Sequence, residues 1–200
     1  MRRLPSSPSR AQALSEFEPR LLSEFEARTA GVARATRDAM HYALFRVEDR
    51  FCVTAAWLAA PRLGVSTARL APLACAIEAL RCGLRADRHA AGLVQLAFEM
   101  ALASGTEGPA AARILAKGGT NVFRATGEIL ELLAGAKKGL VADWFEKLGH
   151  FAHAVSESLD VATAKTLETE LLDSARELDL KGAAHEIIEP LADALKARLQ

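Results

Sequence analysis

Cysteine is scarce in this chain: three residues among 200, Cys52, Cys75 and Cys82, with no Cys-x-x-Cys pair. An odd, unpaired set excludes a disulfide framework and points to free thiols in a reducing, cytoplasmic setting. Net charge is absent, because 25 Lys and Arg residues cancel 25 Asp and Glu. That balance argues against a dedicated nucleic-acid binder, which carries a basic excess. No apolar run reaches the roughly 18 residues of a membrane span. The opening string MRRLPSSPSRAQ is basic and rich in Ser and Pro, and no apolar stretch follows it. It reads as a disordered arm over 1–12 rather than a signal peptide. Strands are missing too, since no segment alternates apolar and polar residues with period two.

What is present is helical spacing. Half of the residues are hydrophobic and 25% are charged. A chain of this length buries roughly 70% of its unfolded surface, enough for one core without metal or disulfide. Leu22, Phe25 and Val32 mark a first stripe interrupted by Thr29, and Ala39, Met40, Ala43 and Leu44 a second. Phe51 to Ala60 is almost wholly apolar and predicts a buried helix ending at Pro61-Arg62-Leu63-Gly64. Ser66-Thr67 predicts the N-cap of a helix over 68–84, and a further helix covers 89–103. Pro109 opens the next, which continues towards Leu133 with a weak spot at Gly118-Gly119. Helices over 140–161, 163–178 and 183–199 complete the set, the last kinked or split by Pro190. The expectation is a single all-α domain, a bundle of about eight helices over 13–200.

Several local patterns carry chemistry on one reading and only packing or solvation on another. Glu146, His150, His153 and Glu157 share one stripe of a predicted helix, which suits metal ligands, a solvated face or a pocket wall. Glu128 and Glu131 stand at i, i+3 and read as paired acid and base or as a solvated face. Arg81, Arg85 and Arg88 form a short basic stripe, either a contact for acidic groups or a solvated face. Gly118-Gly119-Thr120 is no phosphate loop, because the Gly-Lys-Ser/Thr that defines one is missing. Trp57 and Trp144 read as core or interface aromatics.

A chain of short strings carries more. Asp38-Ala39-Met40-His41-Tyr42-Ala43-Leu44 resembles EAMRYSL of the trans-isoprenyl diphosphate synthases, the polyprenyl synthetase family. Pro72 to Leu80 resembles that family's helix leading to its first aspartate-rich motif, and Leu93 to Glu99 is similar to its DALLALAFE string. Thr126 to Leu132 resembles GGQxLDL, and Leu148 to Val161 resembles LGLAFQIxDDxLDV. Their order, from about Arg37 to the end of the chain, implies a shortened isoprenoid-synthase-like helical bundle.

That family ionises an allylic diphosphate with Mg²⁺ held by two DDxxD motifs and with a cationic clamp on the phosphates. Neither DDxxD occurs in this chain. Where the family has GGKRxRP, the chain reads Val47-Glu48-Asp49-Arg50-Phe51-Cys52-Val53, so only Arg50 remains, with Asp49 at the lysine position and Cys52 at the second arginine. The second aspartate motif is replaced by Ser156-Glu157-Ser158-Leu159-Asp160. The resemblance therefore implies degenerate diphosphate and metal positions at Asp49, Arg50, Cys52, Ser156, Glu157 and Asp160. It places Tyr42, Phe98, Glu128, Glu131 and His153 around a residual cavity. With no catalytic residue, metal or cofactor assigned, the expectation is a catalytically inactive relative. Its role would be regulatory, scaffolding or that of a small subunit, as a homodimer or as a heterodimer with an active isoprenyl diphosphate synthase. Two alternatives are a binding protein for an apolar or isoprenoid ligand and an enzyme with altered metal-dependent chemistry.

Overall fold

The helix that organises the molecule is the one with no polar face. In the computed structural model, α3 (Phe51–Ala59) buries all nine of its residues. A helix apolar all round has to be enclosed by others, and α1 (Arg10–Thr29), α4 (Thr67–Arg85), α7 (Val122–Ala134) and α10 (Lys181–Arg198) pack around it. The remaining helices are α2 (Arg34–Phe45), α5 (Gly92–Leu102), α6 (Gly108–Gly118), α8 (Leu140–His153) and α9 (Val161–Glu177). From α4 onwards, helices adjacent in sequence are adjacent in space. The structure describes residues 9–46, 50–86, 92–118, 121–135, 139–158 and 161–198. Among them the fold is all-α, and no helix is long and apolar enough to cross a membrane.

Local chemistry sets most boundaries. Ser9 accepts a hydrogen bond from Gln12 N and starts α1 at Arg10, so residues 10–12 of the expected arm are the first helical turn. The buried stripe of α1 is Ala13, Phe17, Leu21, Phe25 and Thr29, each four residues apart, and Leu22 is turned outwards. Thr29 is satisfied by donating to Phe25 O at 2.7 Å. Ser66 caps α4 through Arg69 N. The helix expected from Pro109 to Leu133 is two helices, because Asn121 Oδ1 accepts from Arg124 N at 3.1 Å and begins α7 afresh. Pro190 does not split α10. The carbonyl it leaves without a donor belongs to Glu186, which is exposed to water, while Ala183, Ala184, Ile187 and Ile188 hold the inner face in the core.

The two tryptophans anchor the core at two separate helices, α3 and α8. Trp57 lies edge-on to Phe17, with ring centroids 5.8 Å apart, and its indole N–H donates to Glu16. Trp144 donates to Leu171 O at 3.0 Å and ties α8 to α9. Helices α7 and α8 approach closely, and a Cβ on Gly127 would stand 2.5 Å from Ala142 Cα. At the same contact the Glu131 carboxylate accepts from Gly139 N at 2.9 Å, Val141 N at 2.8 Å and Ala142 N at 3.1 Å. A side chain of α7 thus caps the N-terminus of α8, where N–H groups have no partner within the helix and the helix dipole favours a negative charge. Glu131→Ala is expected to lower stability by about 1–2 kcal/mol, the usual worth of such a cap, read as a lower denaturant midpoint with an unchanged slope.

Candidate functional site

The end of α4 and the second half of α8 diverge and leave a cleft of about 610 Å³, a volume inside the range of roughly 300–1,000 Å³ typical of small-molecule sites. Its floor is apolar and comes from the first turns of α3 and α7. Phe51, Cys52 and Val122 are buried there, with Phe123 half-buried beside them. The Phe51 and Phe123 rings stand 6.2 Å apart, and Phe123 lies so close to α8 that a Cβ on Gly149 would meet its ring at 2.9 Å. Any larger residue at 149 would therefore displace the Phe123 ring from the floor.

The rim is polar. Arg81 and Arg85, one turn apart on α4, face His150 and His153 on α8, and Ser156 follows in the π-helical turn 154–158 that ends α8. Arg81 is fixed from behind by Glu78, whose side chain is 0% exposed. Its Nε donates to Glu78 Oε2 at 3.0 Å and its Nη2 to Oε1 at 2.7 Å. Burial alone would lower the Arg81 pKa, but the Glu78 hydrogen bonds and charge outweigh it and hold the guanidinium firmly protonated. Glu78 Oε1 also accepts from Arg50 Nη1 at 2.9 Å, while Arg50 Nη2 donates to Leu44 O at 3.0 Å.

Glu146 is the carboxylate among the described lining residues, and it is already engaged. Asn121 Nδ2 donates to it at 2.8 Å and Arg124 Nη1 donates to its other oxygen. Arg124 also pairs with Asp143 at 2.9 Å and with Glu128 at 3.4 Å.

The residues singled out from sequence are distributed as follows. Cys52, Ser156 and His153 line the cleft. Arg50, the retained clamp position, is 3% exposed and belongs to the buried ion-pair cluster behind Arg81. Tyr42 is 61% exposed on α2, beneath the Arg46 guanidinium. Phe98 packs half-buried on α5, Glu128 pairs with Arg124 on the surface and Glu131 caps α8; none of the four lines the cleft. Asp49 and Asp160 lie outside the described residues, as does the side chain of Glu157. Arg81 and Arg85, read as a contact for acidic groups or a solvated face, border the cleft, and Glu146, His150 and His153 form its wall. The helical stripe was visible in the sequence, but the wall opposite it was not.

The Mg²⁺ that the resemblance implies does not fit the described donors. Mg²⁺ takes hard oxygen ligands, usually carboxylates and water, whereas the described lining offers two guanidiniums, two imidazoles, a hydroxyl, a thiol, the Asn121 amide and one carboxylate held by Arg124 and Asn121. Among the described residues, no three His, Cys, Asp or Glu side chains converge as a metal site.

No family model and no curated protein matches the chain. Among solved structures, the geranyltransferase of Legionella pneumophila matches with a TM-score of 0.73 and 14% identity, over 92% of this chain and 97% of that one. The isoprenoid-synthase-like fold is thereby shown. The expectation of a protein that is not an enzyme is overturned, because the structure sharing this fold belongs to a transferase. The missing motifs were read from sequence alone, and no feature of the cleft demonstrates inactivity.

Two outcomes follow from the site's electrostatics. Removing Glu78 leaves Arg50 and Arg81 without their shared buried counter-charge, so Glu78→Ala is expected to cost about 3–5 kcal/mol in denaturant unfolding. Burial foremost, then nearby carboxylates, pushes the Cys75 and Cys82 thiols up to about 12 from 9.0. A thiol whose folded pKa is raised stabilises the fold below its unfolded pKa and loses that contribution as pH rises through the folded value. Stability should therefore decline from about pH 9 towards 12, and iodoacetamide at pH 8 should label these two thiols only after denaturant is added.

Proposed function

We propose that the cleft between α4 and α8 binds an isoprenoid-type amphiphile, its apolar chain on the floor and its anionic head at the rim. The observation that carries this reading is the polarity gradient across one cavity. Phe51, Val122 and Phe123 supply a surface that gains by losing water, and Arg81, Arg85, His150 and His153 stand together at the mouth. A purely apolar ligand would make no use of the polar rim, and a small hydrophilic anion would leave the floor wet. An amphiphile satisfies both.

A second reading, transfer of the bound prenyl group, is favoured by the likeness to the Legionella geranyltransferase. The two readings share the bound state and differ in whether the head group departs. Pairing as a homodimer, or as a heterodimer with an active synthase in a regulatory or small-subunit role, is an additional proposal from the sequence resemblance. It is tested separately by the molar mass in sedimentation, alone and mixed with such a synthase.

Titration of the full-length protein with geranyl diphosphate by calorimetry tests the binding reading. Saturable one-to-one binding is expected, and Phe123→Ala should weaken it about tenfold through lost apolar burial. Absence of binding overturns the reading. Release of inorganic diphosphate on prolonged incubation with an acceptor prenyl diphosphate would identify transfer.

A further inference from the structure

We infer that Glu131, which does not line the cleft, is a positioning residue for it: acting through the N-terminus of α8, it holds that helix in the one register that seats the wall of the cleft against its floor. The inference rests on the amphiphile reading above and names what keeps the site in its binding geometry.

Helix α8 is pinned to α7 at two places. At its start, Glu131 Oε2 accepts from Gly139 N at 2.9 Å, while Oε1 accepts from Val141 N at 2.8 Å and Ala142 N at 3.1 Å. Hydrogen bonds are directional, so a carboxylate bonded to three backbone N–H groups fixes both the height of the helix and its rotation. Beside these bonds Ala142 lies against Gly127, where an added Cβ would stand 2.5 Å from Ala142 Cα and 2.7 Å from the Val141 carbonyl oxygen. Two turns further on, about 10 Å along the axis, Gly149 lies against the Phe123 ring of the floor. That second contact exists in one register. A shift of α8 by one residue puts Leu148 or His150 where Gly149 stands, and neither leaves room for the ring. The floor and the wall residues His150, Ala152 and His153 would then lose their present alignment.

Glu131 is the group that selects this register. Gly139, the N-cap of α8, has φ 86° and supplies no side-chain cap, so the first N–H groups of the helix turn to Glu131 instead. Gly127 and Gly149 permit close approach without specifying a height, since contacts of backbone with apolar groups are non-directional. Arg124 on α7 also pairs with Asp143 and Glu146 of α8, but its side chain is 40% exposed and water weakens those pairs. A residue with no ligand contact can change binding when it biases the arrangement of an element that does make contact.

The test is calorimetric titration of the full-length protein with geranyl diphosphate, on the wild type and on Glu131→Ala, Glu131→Gln and Ser9→Ala. Ser9→Ala removes an N-cap from α1, whose start does not border the cleft. Loss of one cap leaves a domain almost wholly folded, so a merely structural role predicts the wild-type Kd in every variant. The expected result is a Kd raised at least about fivefold in Glu131→Ala. A smaller rise is expected in Glu131→Gln, whose amide oxygen can still accept from Val141 N and Ala142 N. Ser9→Ala should change the Kd by less than about twofold, as a distant, uncoupled site does. A wild-type Kd in Glu131→Ala, beside a lowered denaturant midpoint, would make Glu131 a cap and nothing more, overturning the inference and leaving the amphiphile reading standing. An equal rise in Ser9→Ala would overturn it as well. Should Glu131→Ala fail to fold by circular dichroism, Glu131→Gln decides by itself, and a Kd equal to that of Ser9→Ala would sink the inference. If the wild type does not bind geranyl diphosphate, the amphiphile reading itself fails, and the inference with it.

Discussion

The buried cluster of Arg50, Glu78 and Arg81 is the interaction on which both the fold and the cleft depend. It brings together the residue preceding α3, the middle of α4 and, through Leu44 O, the end of α2. Taking these charges out of water is expensive, and ion pairs of this kind seldom add net stability over an apolar replacement. What the cluster adds is position. A hydrophobic contact at this junction would let α4 rotate or slide against α3 at small cost, whereas a carboxylate shared by two guanidiniums tolerates only one register. Because Arg81 also borders the cleft, the contact that sets the register also aims a cation at the ligand site.

The opposite wall is built on the same economy of polar contacts. Glu131 accepts three backbone N–H groups at the start of α8, and Gly127 lets α8 approach α7 without a side chain between them. These contacts fix the beginning of α8, and α8 then carries His150 and His153 to the mouth of the cleft near its C-terminal end. Gly149 lets the Phe123 ring lie against the helix backbone, so the floor joins the wall without a gap. The change from α-helical to π-helical winding at 154–158 falls beside the cleft, where Ser156 is exposed. Among the described residues, rim and floor are thus set by helix packing.

The likeness to a transferase and the donor set of the cleft pull in different directions, and the tension is informative. Charge neutralisation by metal and by guanidinium are two solutions to the same electrostatic problem, stabilising phosphate oxygens in a site partly shielded from water. Counting aspartate motifs tests for the first solution alone. The absent motifs supported an inactive protein, whereas the fold is one shared with the Legionella geranyltransferase.

Helix periodicity is encoded locally, and the all-α fold, the enclosed α3 and the order of the helices were accordingly legible in the sequence. So was the Ser66 cap, because capping acts within a few residues. Of the two outcomes read for Pro190, kink or split, the split does not occur, because the consequence of a missing N–H depends on whether the abandoned carbonyl faces water or core. The destiny of each charged residue was likewise beyond local reading. Glu131 and Glu128 stand three residues apart on one helix, yet one caps α8 and the other pairs with Arg124 at the surface. Arg50 and Arg81 lie 31 positions apart and meet on the same carboxylate. The sequence by itself determined where helices form and which residues they bury, because backbone propensity and the hydrophobic effect act on neighbours along the chain. Only the tertiary structure decided which charges are spent on holding the fold and which border the cleft, because a charge takes its role from groups that packing brings near it.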